Sequence, residues 1–140
     1  MTERILAAAE CMPYVLKRIP EFETAWRHHR EYWGDQEAGL CNDVSALTHF
    51  VSDLLAQNSL SLMPEIFACA EWLLAHGDEK VHDAVATCFL ESLQNLASHG
   101  KFSTTLFVPF LGPLSRASCK GWDDFTGVKT DGLYDTEKPT

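Results

Sequence analysis

"AEWLLAHGDEKVHDAVATCFLESLQNL", residues 70–96, decides the fold. Its first half places Ala70, Leu73 and Leu74 at helical spacing, continued backwards by Ile66 and Phe67. Its second half places Val81, Val85, Cys88, Phe89, Leu93 and Leu96 on one helical face. Between them Gly77 ends one helix and Asp78 can cap the next. The spacing predicts two amphipathic helices joined by a tight turn.

Outward from this pair the same period continues. Residues 3–18 read as a helix strained at Pro13. Pro20 suits the first turn of a second helix that ends near Gly34. Asn42 or Asp43 can cap a third, with Leu47, Phe50, Val51, Leu54 and Leu55 facing inward. Pro64 opens the fourth. After the fifth helix, which ends at Gly100, "FSTTLFVPFLGP" reads as a short helix closing at Gly112, and "GPLSRASCKGWDDF" as a last short one. No segment alternates with a period of two. The expectation is an all-α fold: a single compact domain of six or seven helices over residues 1–127, with 128–140 a loosely held tail. The order is compatible with HEAT-like antiparallel helix pairs, although no sequence repeat marks them.

The chain has 140 residues, 46% of them apolar, enough for a real core. No apolar run approaches the roughly 18–20 residues of a membrane helix, and the first residues lack the basic and apolar regions of a signal peptide. A cytoplasmic protein with no membrane partner is expected. The five cysteines, Cys11, Cys41, Cys69, Cys88 and Cys119, are odd in number and widely spaced. They read as free thiols, with a disulfide or redox role as the alternative.

The net charge of −9 is segregated. Residues 1–34 and residues 101–140 each hold five acids and five bases; residues 35–100 hold ten acids and one base, Lys80. The middle of the chain therefore carries the whole excess. Acids gathered this way serve either as a solvated face or as a docking surface for a basic protein, where they steer encounter. Asp35, Glu37 and Asp43 lie in or beside a loop. Asp53 faces away from the apolar stripe of its helix. Asp78, Glu79 and Asp83 surround the turn in the opening stretch, with Asp78 also available as a cap. Binding surfaces need buried anchors as well, often aromatic. Tyr32, Trp33 and Trp72 are the candidates, and core packing competes for each. Glu71 and Glu91 sit beside apolar stripes, where a hydrogen bond to a neighbouring helix start or to Arg would make them structural.

Motifs for catalysis are missing: no G-x-S-x-G, no P-loop, no H-E-x-x-H. Glu79 to His82 matches half of a di-iron Glu-x-x-His pattern, but no second copy follows. Adjacent His28 and His29 point about 100° apart on a helix. His29 can pack on Trp33, and His49 can pair with Asp53. No catalytic residue, metal or cofactor is expected. With 11 bases against 20 acids, direct nucleic-acid binding is not expected either.

Residues 67–96, followed by "FLGPLSRASCKGWDDFTG", resemble small all-α bacterial immunity proteins of contact-dependent growth inhibition systems. The shared features are Glu71 before Leu73 and Leu74, then Gly77-Asp78, then Thr87 to Asn95, then Leu111-Gly112-Pro113. Cys88 departs from the pattern, where a small residue is expected. The resemblance implies a non-catalytic antidote, monomeric before complex formation. Its partner would be the C-terminal domain of a cognate toxin, in many cases a basic nuclease, blocked at its active site or substrate path. A helical scaffold that binds another protein or peptide is the alternative.

Overall fold

The Gly77–Asp78 junction is built as its residues require. Asp78 Oδ1 accepts a hydrogen bond from the Val81 N–H at 2.9 Å and so caps the following helix. A Cβ on Gly77 would lie 2.4 Å from Val81 Cγ1 and 2.7 Å from the Leu73 carbonyl oxygen, so only glycine fits there. The computed structural model describes residues 5–134. Among them are seven α-helices: α1 (Ala8–Arg18), α2 (Glu23–Trp33), α3 (Leu40–Ala56), α4 (Met63–His76), α5 (Glu79–Asp83), α6 (Ser92–Ser98) and α7 (Pro113–Thr126). The described residues form no sheet; one isolated backbone bridge joins Leu6 to Gly77. None of the described helices is long and apolar enough to cross a membrane. The fold is all-α, as the periodicity predicts.

The second helix of the opening stretch is α5 and α6 joined without a break by a π-helical stretch, Ala84–Glu91. Within it the Cys88 carbonyl accepts a hydrogen bond from the buried Thr48 hydroxyl of α3 at 2.7 Å. This helix runs through the centre of the molecule, with α3, α4 and α7 packed on it. Phe67, Phe89 and Phe107 are almost wholly buried at its side, and Phe67 lies 5.6 Å from each of the other two rings. Each such side chain contributes about 1.5–3 kcal/mol through burial.

Helix α1 lies antiparallel to α4. Tyr14 stacks on Trp72 at 4.4 Å, and Arg18 approaches Glu65 at 4.0 Å. It begins at Ala8, not Glu3. Residues 5–7 are extended instead, because Leu6 exchanges backbone hydrogen bonds with His76 and Asp78, each 2.8 Å. Residues 3 and 4 lie outside the described part. Helix α3 begins at Leu40, before the predicted caps. Gly39, at φ 90°, opens it, and Asn42 donates to the Ala38 carbonyl. "FSTTLFVPFLGP" forms two 3-10 turns, Thr104–Leu106 and Val108–Phe110, rather than one helix. Pro109 cannot donate the amide that a longer helix needs.

Two further expectations are corrected. Residues 128–134 are not a loose tail. Thr130 and Leu133 are buried, and Tyr134 donates to Asp123 Oδ2 at 2.8 Å. Residues 135–140 lie outside the described part. The cysteines are not all free: Cys41 and Cys88 form a disulfide. The first turn of α3 runs beside the π stretch and holds their Cα atoms 5.6 Å apart, a spacing that a bridge spans.

Candidate functional site

Three helices, α1, α3 and α5, start at one end of the molecule, and the loop 34–39 from α2 joins them. Most of the predicted acids gather there. Asp43 and Asp78 both act electrostatically on the Cys11 thiol, which burial chiefly pushes up to about 12. Glu37 and Asp43 line an open hollow of about 400 Å³ with Trp26, Arg30 and Leu40. Leu40 also lines a second hollow, with Lys80 and Asp83. Asp53 is the exception. It stands ten residues along α3 from Asp43, about 15 Å away at the helical rise.

The acids at this end divide by what they touch. Asp78 is the cap described above. Asp43 bonds His29 Nε2 at 2.8 Å, and both side chains are mostly shielded from solvent. The aspartate partner of a histidine is therefore Asp43 with His29, not Asp53 with His49. Acids in a first helical turn also offset the positive end of the helix dipole, so Asp43, Asp78 and Glu79 have a structural share. By contrast the side chains of Asp35, Glu37 and Glu79 are exposed and make no hydrogen bond or ion pair among the described residues. Asp83 is exposed, with His82 beside it at 3.6 Å.

The aromatic candidates separate too. Tyr32 is 84% exposed and leans edge-on against Trp33. Trp33 is half-buried and packs on His29. Trp72 lies between Tyr14 and His76 in a stack along α1 and α4, where a mostly apolar groove is lined by Leu6, Ala9, Pro13, Tyr14 and Trp72 together with Glu10 and Lys17. Ala9 also lines the hollow of Glu37 and Asp43.

Two carboxylates serve the fold. Glu71 of α4 accepts from the Leu114 and Ser115 amides and the Ser115 hydroxyl at 2.9–3.0 Å, closing the start of α7. A Cβ on Gly112 would meet the Glu71 carboxyl at 2.5 Å, which accounts for the Leu111-Gly112-Pro113 turn. The expectation that Glu71 bonds a neighbouring helix start holds. The second, Asp123, escaped sequence reasoning. It is 4% exposed and accepts from the Thr130 amide and hydroxyl, the Tyr134 hydroxyl and Gln94 Nε2. Its signal was position, since an acid in the last turn of a helix opposes the dipole and needs another reason.

Among the described residues no three of His, Cys, Asp or Glu are placed to hold a metal ion together, and Glu79 and His82 belong to no such group. No curated protein and no solved structure matches the chain. Residues 12–127 match the model of a family described as a domain of unknown function, DUF7674, and the chain belongs to that family.

Proposed function

We propose that this chain is a non-catalytic protein-binding domain that receives a basic protein at its acidic end. The observation that carries the reading is the convergence of Glu37, Glu79 and Asp83 around three helix starts, exposed and without a Lys or Arg ion pair among the described residues. Acids left solvated on one end raise the rate of encounter with a basic surface more than they add affinity. In its sharper form the partner is a toxin domain of nuclease type and the chain is its antidote, covering the active site or substrate path. The resemblance to immunity proteins supports this form, and nucleases are basic because their substrate is polyanionic. The chain then works as a cytoplasmic monomer until it meets its target, without a cofactor.

The test is association with the C-terminal domain of a large secreted protein encoded beside this gene, followed across a salt series. The expected rate falls steeply with salt. A triple Glu37→Lys, Glu79→Lys, Asp83→Lys variant should slow association by tenfold or more at low salt. Asp53→Lys, far along α3, should leave it nearly unchanged. Equal rates in the triple variant and the parent would remove this end from the interface.

A second reading has its own observation. The mostly apolar groove between α1 and α4, with Tyr14 and Trp72 in its wall beside Glu10 and Lys17, suits an adaptor that takes a largely apolar peptide. Binding there would depend on salt far less steeply than docking at the acidic end and would be lost on Trp72→Ala.

A further inference from the structure

The Cys41–Cys88 bridge joins segments of unlike exposure. Cys41 lies in the first turn of α3 and is exposed; Cys88 lies in the π stretch and is 6% exposed. The bridge is open to solvent on one side. Both cysteines, with Leu40, Lys80, Asp83 and Thr87, line a shallow hollow of about 410 Å³. The other three cysteines are different. Cys11, Cys69 and Cys119 are buried, and burial pushes each thiol up to about 12. They stay protonated near neutral pH and are poor nucleophiles.

Lys80 is the one base among the ten acids of residues 35–100, and it stands at this hollow. A cation beside a disulfide favours the approach of a thiolate and stabilises the thiolate that leaves. An acidic span would otherwise repel the incoming anion.

We propose that Cys41–Cys88 is a thiol-exchange site, and that Cys41 is the position at which a low-molecular-weight thiol becomes covalently attached. The thiolate attacks Cys41 Sγ, the exposed partner. A new S–S bond forms to Cys41 as the Cys41–Cys88 bond breaks, and its electron pair leaves on Cys88 Sγ, which takes a proton from water. A second thiolate attacks the small-molecule sulfur of the mixed disulfide and expels Cys41 as thiolate. In total the bridge is reduced by two electrons, and two thiols are oxidised to one disulfide. Run backwards, Cys88 thiolate attacks Cys41 Sγ, expels the small thiolate and restores the bridge. The fold outlasts the exchange, because Val44, Leu47, Val85 and Phe89 remain buried and Thr48 still holds the Cys88 carbonyl. This inference is independent of the acidic-end docking reading.

The test uses the full chain and glutathione, without denaturant, followed by acid quenching and mapping by mass spectrometry. A glutathione adduct at Cys41 is expected, with Cys11, Cys69 and Cys119 unmodified and the helical circular-dichroism signal retained. In Cys88→Ser, oxidised glutathione should modify Cys41 at least tenfold faster than it modifies Cys88 in Cys41→Ser. Lys80→Glu should slow adduct formation on the parent several-fold. The proposal is overturned if the bridge resists glutathione until the protein unfolds, or if the adduct forms chiefly at Cys88. It is equally overturned if Cys41 and Cys88 are both free thiols that do not close under mild oxidation. The experiment on the parent protein stands even if a variant fails to fold.

Discussion

Glu71 and Asp123 at one side of the molecule, and Glu37, Glu79 and Asp83 at another, are the same chemical group under opposite conditions. The first two are shielded and accept three or four hydrogen bonds each. The other three face solvent, and Glu37 and Glu79 accept none among the described residues. The lesson is that net charge says little about which carboxylates matter to the fold; the count of donors around each one does. A buried acceptor with its donors removed leaves them orphaned, whereas an exposed one leaves only water behind.

The contrast is open to direct attack. Asp123→Ala should produce the largest loss, about 3–5 kcal/mol in urea unfolding, since it removes the charged acceptor shared by the buried Thr130 amide and hydroxyl, the Tyr134 hydroxyl and Gln94. A loss under 1 kcal/mol would erase the distinction between the two groups. Next comes the bridge near the acidic end, where replacing Cys41 and Cys88 by Ser should cost about 2–4 kcal/mol, for it closes a long loop. An unchanged midpoint with and without reductant in the parent would deny that the bridge contributes. Gly112→Ala should cost about 1–2 kcal/mol by displacing Glu71 from the start of α7. In a Glu71→Ala background the same change should cost much less, and full additivity in that double-mutant cycle would break the link. Smallest of all, Glu37→Lys, Glu79→Lys and Asp83→Lys should each move stability by no more than about 0.5 kcal/mol, leaving association kinetics as their only clear readout.

The helices were legible because their cause is local. Gly77, Asp78 and Pro64 punctuate the chain within a few residues of the structures they produce, and the apolar stripes repeat every turn. What escaped reading depends on partners far away in sequence. Leu6 is extended because it meets the end of α4. Residues 128–134 are held by Asp123 and Gln94, polar groups whose burial no periodicity announces. Cys41 and Cys88 stand 47 residues apart without a motif, and only the packing of α3 on the π stretch brings them together. The candidate site was half legible. The run of acids anticipated that exposed carboxylates gather around one turn, and Asp78 was legible as a cap, but the bond that engages Asp43 with His29 was not. The sequence also grouped Asp53 with acids from which ten residues of α3 divide it.

The π-helical stretch Ala84–Glu91 lies in the single long helix that links the acidic end to the Asp123 cluster. A π turn is an α turn that carries one extra residue, so deleting one residue within the stretch would let ordinary winding resume with the side chains downstream in nearly their present phase. Gln94 would still face α7 and Leu93 the core, and the loss would fall on the Cys88 carbonyl and its bond to Thr48. The stretch behaves like a splice in a shaft: it takes up a residue without turning what lies beyond it, whereas one codon lost from the ordinary winding of α6 would swing every later side chain of that helix by about 100°.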